Sequence, residues 1–242
     1  MRPLRIRAWD GAVAYPRTWD AMQGFTAQRT EDTEDELWLL EHEPVYTRGR
    51  NAHEAAPDGS IAVVDSDRGG DITYHGPGQL VAYTLFDLAR ASLGVRQLVF
   101  GLEAAVIASL AGFGITGERR AGAPGVYVGG AKIASLGLRI RGGRSYHGLA
   151  LNVAMDLEPF ARIAPCGYRG LAVTQIADCG GPRDMTVVAQ TLTRELCSHF
   201  GYIPLEDNQH DGGRYERQRS ALPERDRNDP PCGRTRDTAS NA

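Results

Sequence analysis

Gly125-Val-Tyr-Val-Gly-Gly-Ala-Lys-Ile-Ala-Ser-Leu-Gly-Leu-Arg-Ile-Arg-Gly-Gly-Arg-Ser-Tyr-His-Gly-Leu-Ala-Leu-Asn-Val153 reads as one β segment folded back on itself. The runs 133–140 and 145–153 flank Arg141-Gly142-Gly143-Arg144. A Gly-Gly centre supplies the two positive φ angles of a type I′ hairpin turn. Working outward, 4–9 alternates and reads as a strand. Residues 16–29 read as a helix with Pro16 in its first turn. Residues 36–42 contain Leu37-Trp38-Leu39-Leu40, a buried strand, and 61–65 and 80–86 are further strands. Val95, Leu98, Val99, Leu102, Val106 and Leu110 define one helical face ended by Gly112 and Gly114, and Val188, Leu192, Leu196 and Phe200 define another over 186–200. Strands and helices do not alternate strictly. The expected fold is therefore α/β of the α+β kind, with mixed β-sheets and flanking helices, not a doubly wound parallel sheet.

The chain has 242 residues, 42% of them hydrophobic, enough for one domain with a substantial core, expected over 1–205. Residues 206–242 are rich in charges of both signs and poor in large apolar side chains, so this stretch is expected to be a polar, disordered tail. A net charge of -3 gives no electrostatic footprint for nucleic acid. No apolar run of membrane-spanning length and no leader-like stretch are visible, so a cytoplasmic location is expected. The four cysteines form no CxxC pair and no metal-ligand spacing with the six histidines, so neither metal nor cofactor is expected.

Three stretches could carry chemistry. Lys132 is the one lysine among 27 basic residues, in a small, apolar, glycine-rich context. Arginine keeps its proton at ordinary pH, whereas a partly desolvated lysine can exchange one. Chance retention on a solvated surface is the plainer explanation. Arg68-Gly-Gly-Asp-Ile-Thr-Tyr-His-Gly-Pro-Gly-Gln79 has four glycines in twelve residues. It fits a ligand loop and a tight double turn between strands equally well, and it is neither a P-loop nor a dinucleotide fingerprint. Pro165-Cys166-Gly-Tyr-Arg-Gly170 puts a thiol on a turn, accessible as a nucleophile needs, or simply structural. Lys132, Arg169, His75 and His147 are all candidate partners for it.

Taken together, these stretches resemble the lipoyl(octanoyl) transferase family, which is related in fold to the catalytic domains of biotin and lipoate protein ligases. The resemblance rests on 68–79, on Gly130-Ala-Lys-Ile-Ala-Ser-Leu-Gly137, on His147-Gly-Leu-Ala-Leu-Asn152 and on 165–170, with 41–50 in the same style. It covers roughly residues 8–200. Asp71 departs from the Gln often found there. The resemblance implies transfer of an octanoyl group from acyl carrier protein to a lysine of lipoyl domains, namely 2-oxoacid dehydrogenase E2 subunits and the glycine-cleavage H protein. It makes Cys166 the acyl-accepting nucleophile and Lys132 its acid/base. The acyl site would be lined by Arg68, Gly69, Gly70, Asp71, Ile72, Thr73, Tyr74 and His75, by Ser135, Leu136 and Gly137, and by Gly148, Leu149 and Ala150. His147 is expected behind these residues, supporting them, and a monomer is expected. The hairpin arginines Arg139, Arg141 and Arg144 are candidates to meet the acidic carrier, or simply a solvated hairpin. An ATP-dependent ligase and a non-catalytic acyl-binding module are the competing readings. The first has no need of Cys166, and the second needs neither Cys166 nor Lys132.

Overall fold

In the computed structural model, the structure describes residues 1–52, 57, 59–163 and 171–205. The hairpin is present where the Gly-Gly turn demands it. Strands β8 (Ala131–Arg141) and β9 (Arg144–Asn152) pair antiparallel over eight rungs, from Ala134↔Leu151 to Arg141↔Arg144. Gly142 and Gly143 hold φ of 56° and 76°, the type I′ requirement.

This hairpin supplies two strands of a seven-stranded mixed sheet. The other strands are β1 (Arg2–Val13), β2 (Asp35–His42), β6 (Gln79–Leu85), β7 (Val126–Val128) and β10 (Tyr202–Leu205), in the order β10-β1-β2-β6-β9-β8-β7. The β1–β2 and β1–β10 pairs are parallel and the others antiparallel. A second sheet, order β4-β3-β5, contains β3 (Val45–Arg48), β4 (Ala62–Asp65) and β5 (Ile72–His75). The expected mixed-sheet fold is thus the observed one.

Helices cover both faces of the large sheet. Helices α2 (Val95–Gly112) and α4 (Met185–Phe200) bury Leu98, Leu102, Val106, Val188, Leu192 and Leu196 against one face with Leu37, Leu39, Leu149 and Leu151. Helix α1 (Tyr15–Gln28) lays Ala21 and Met22 on the other, against Trp38, Leu40, Val81 and Ala150. Burial on both faces explains why β2 is a continuous apolar run instead of an alternating one. Helix α2 is long and apolar enough by composition to cross a membrane, but its apolar face is spent on α4 and the sheet. Asp184 caps α4, accepting from Thr186 N at 2.8 Å, and Gly201 ends it at φ 70°. The short helix α3 (Glu158–Ala161) packs Phe160 against Tyr46, Ile72 and Tyr74 of the small sheet.

Candidate active site

The first glycine loop and the hairpin meet. Gly69 N donates to Leu138 O at 2.9 Å, and a Cβ on Gly137 would sit 3.0 Å from Gly69 O and 3.1 Å from Arg68 Cδ. Glycine at 137 is therefore what lets the loop lie flat on β8. The other two predicted segments are rungs of one ladder: Ser135↔Ala150, Leu136↔Leu149 and Gly137↔Gly148. Rung partners share a face and successive rungs alternate. Ser135, Gly137, Gly148 and Ala150 therefore face α1 and the loop. Leu136 and Leu149 face the opposite core beneath α2 and α4.

Lys132 reaches the loop side of the sheet through an irregularity. Val126 pairs with Ala134, but Tyr127 pairs with Lys132, so Ile133 is an extra residue in β8. A bulge of this kind reverses which way the following side chains point. Ala134 joins the α2/α4 core, and Lys132 joins the face of Ser135 and Gly137. There it is 4% exposed, donates to Pro124 O at 3.2 Å, and places Nζ 5.4 Å from the centre of the Tyr127 ring. Gly125, at φ 137°, closes over it: a Cβ there would lie 2.7 Å from Ala134 O and 3.1 Å from Lys132 Cε. The lysine backbone is bracketed by Lys132 N→Ala172 O at 2.8 Å and Thr174 N→Lys132 O at 3.0 Å. Cys166 and its turn, 164–170, lie outside the described residues.

The predicted loop 68–75 divides between two sides of the small sheet. Arg68 is a buried staple. Its Nε donates to Thr47 Oγ1 at 3.0 Å, Nη1 to Gly69 O at 2.9 Å, and Nη2 to Thr47 O and Asp71 O at 2.5 and 2.7 Å. Asp71 turns its carboxylate onto Ile72 N at 2.7 Å. Ile72 and Tyr74 point away into the cluster with Tyr46 and Phe160, whereas His75 and the half-buried Thr73 belong to the opposite face. Alternation along β5 makes that division unavoidable. Leu136, Leu149, Ile72 and Tyr74 therefore do not face the surface that the other predicted residues share.

His75 is fully tied. Its Nδ1–H donates to Gln79 Oε1 at 2.7 Å, and its Nε2 accepts from the Thr47 hydroxyl at 3.3 Å. Gln79 continues to Asn152 Oδ1 at 3.0 Å, and Asn152 to Thr174 O at 2.9 Å, beside Lys132. Burial, assisted by the nearby His42, pushes the His75 pKa well below its usual value, so the ring is neutral. His147 sits at φ 61°, an uncommon value for a residue with a Cβ. Its Nε2–H donates to Asp67 Oδ1 at 2.9 Å, while its buried Nδ1 finds no hydrogen-bond partner among the described residues. Burial lowers its pKa despite the carboxylate.

Sequence reading missed three contributors here, Asp67, His42 and Tyr15. Asp67 accepts from Trp19 Nε1 at 2.8 Å and from the Tyr146 hydroxyl as well as from His147. Burial alone would raise its carboxyl, but these hydrogen bonds outweigh it and hold it below the usual range. His42, its pKa driven down to about 4 by burial, donates to Val13 O at 2.9 Å and accepts from Tyr83 at 2.6 Å. Tyr15 stacks on His75 at 6.0 Å between centroids and bonds Ser66 at 2.7 Å. A histidine closing a strand with a buried apolar run, as at 42, was the available signal for this polar layer.

Solved structures of similar fold include lipoate protein ligases. A bipartite lipoate protein ligase from Thermoplasma acidophilum aligns with a TM-score of 0.70 at 16% identity, covering 86% of this chain and 87% of that one. A lipoate-protein ligase A bound with ATP aligns at 0.68 and 16%, covering 84% and 90%. Those likenesses define the class of fold. The family described as "Lipoyl protein ligase A/B catalytic domain" matches residues 14–200, and the chain belongs to it. Within that family it is similar to curated octanoyltransferases. It is 57% identical to that of Xylella fastidiosa over 195 residues, covering 80% of this chain and 85% of the relative. It is 54% identical to that of Vibrio vulnificus over 198 residues, covering 81% and 91%.

Proposed function

We propose that this chain is an acyltransferase that moves an octanoyl group from octanoyl-acyl carrier protein to a lysine of a lipoyl domain, through a thioester on Cys166. The observation that carries the reading is the placement of Lys132. The chain's one lysine is buried on the face that Ser135, Gly137, Gly148 and the 68–70 loop share. It lies alongside Ala172–Thr174, six to eight residues after Cys166.

Cys166 Sγ attacks the carrier thioester carbonyl, and the carrier thiol departs as the Cys166 acyl thioester forms. This exchange of one thioester for another is nearly balanced. The acceptor lysine amine then attacks that thioester, the amide forms, and the Cys166 thiol is released. The second step runs downhill without ATP. Lys132 takes the Cys166 proton, returns one to the leaving carrier thiol, and takes one from the attacking amine. An arginine could offer charge there but not this alternation. Exclusion of water protects the acyl-enzyme, and burial of six methylenes contributes about 5 kcal/mol before entropy costs, at ~0.8 kcal/mol each.

Intact mass after incubation with octanoyl-carrier protein is expected to show one octanoyl adduct on the wild type and none on Cys166→Ala. An undiminished adduct on Cys166→Ala refutes the intermediate. Lys132→Arg is expected to lose most amide-forming turnover, at least ~100-fold for a lost acid/base. Turnover equal to wild type would leave Lys132 only its charge.

A further inference from the structure

We propose that the acidic acyl carrier docks on the surface formed by Arg96, Phe100, Arg119 and Arg120, at the Lys132 end of the hairpin and not at its arginine-bearing tip. This rests on the acyl-transfer reading above and identifies where its donor sits.

The tip is in the wrong place. Arg141 is nine residues along β8 from Lys132, about 30 Å at ~3.3 Å per residue. That is longer than an extended phosphopantetheine arm. One of its arginines is also engaged inward: Arg144 donates to Arg29 O at 2.7 Å and faces Asp87.

The other end of the hairpin carries a connected cationic surface leading to Lys132. Arg96 and Phe100 are one turn apart on the outer face of α2, and both are exposed, Phe100 by 56%. The Arg119 guanidinium lies 3.8 Å from the centre of the Phe100 ring and donates to Phe100 O at 3.0 Å. Its neighbour Arg120 donates to Gly130 O at 3.1 Å and sits 4.5 Å from the centre of the Tyr127 ring. Lys132 Nζ approaches that same ring. Cations on the surface and the lysine below therefore share one aromatic side chain.

The acids nearby offset only part of this charge. Glu103 is buried, pairs with Arg119 at 3.0 Å and accepts from Gly125 N at 2.9 Å, and Glu118 is exposed in the 118–120 turn, which leaves Arg96 and Arg120 in excess over Glu118. An exposed aromatic ring framed by arginines suits a polyanionic protein partner. The chain itself has a net charge of -3, so this local excess of cations runs against its global balance.

The test compares two donors, octanoyl-carrier protein and the small thioester octanoyl-pantetheine, in steady-state transfer to a lipoyl domain. For Arg96→Glu/Arg120→Glu, the KM for octanoyl-carrier protein is expected to rise about tenfold or more. Its kcat should hold, its salt dependence should flatten, and transfer from octanoyl-pantetheine should be unchanged. Arg120→Lys should restore most of the carrier KM, and Arg141→Glu should leave it alone. An unchanged carrier KM in the double variant, or a rise in Arg141→Glu instead, overturns the assignment. So does equal loss with both donors, which would put Arg120 in the site itself. A wild-type chain that transfers from neither donor refutes the acyl-transfer reading, and the docking surface falls with it.

Discussion

Two aspartates, one buried and one half-buried, gather polar groups of this protein, and they do so with different partners. Asp35, at the start of β2, accepts from Arg29 at 2.5 Å, Arg90 at 2.6 Å, Asp87 N at 2.8 Å and the Tyr202 hydroxyl at 2.5 Å. Asp67, just before the glycine loop, accepts from Trp19, Tyr146 and His147. The first cluster ties β2 and β10 to the segments that follow α1 and β6, through arginine guanidinium groups. The second lies beside the predicted acyl site and contains a titratable ring, His147, whose burial favours its neutral form. A polar cluster that only holds strands together has no need of histidine. One surrounded by His42, His75 and His147 has a charge state that depends on remaining dry.

The sharpest way to break this contrast is Asp35→Ala. It leaves Arg29, whose side chain is 0% exposed, without its carboxylate, and is expected to cost about 3–5 kcal/mol in urea unfolding. A loss below ~1 kcal/mol would mean the cluster is not the structural tie described. Asp67→Asn comes next, at about 1–3 kcal/mol, because the amide keeps an acceptor but weakens three hydrogen bonds. It should also slow octanoyl transfer more than Asp35→Asn does at matched stability; equal slowing would erase the distinction between the clusters.

The smallest effect is in pH dependence. His42, His75 and His147 all have native pKa values below the usual 6.5, so near neutrality they are uncharged in both states. As pH falls through 6.5 the unfolded chain binds protons first, and stability is lost progressively until the native rings titrate, at about 4 for His42. Asp67, held below its usual range, adds to that loss at the acid end. The urea midpoint should therefore drop between pH 7 and pH 5, and His42→Gln should shrink the drop. A midpoint flat over that interval would show that the rings are hydrated and not buried as neutral groups.

Much of the fold was legible where a local rule acts alone. The Gly142-Gly143 turn and the α2 boundaries needed only backbone preference and helical periodicity. The short strands β3, β5 and β10 were not read, and β7 was read only as part of the 125–153 β segment, because three or four residues carry no period and their pairing is decided by distant partners. The bulge at Ile133 was equally invisible, and with it the reason Lys132 and Ala134 face opposite ways. The family resemblance implied that the glycine segments line one site. It did not predict that alternation sends Ile72, Tyr74, Leu136 and Leu149 elsewhere. Asp67 went unnoticed for lack of any spacing to mark it, although it directly precedes the motif.

The burial of Lys132 has a practical consequence for chemical labelling. Apart from the α-amino group, the chain carries a single amine, and that amine is 4% exposed beneath Pro124 and Gly125. An amine-reactive reagent applied to the native protein thus has one internal target, reached only when the Pro124–Gly125 cover lifts. The rate at which Lys132 is modified is a clock for that opening, readable by mass alone and free of background from other lysines.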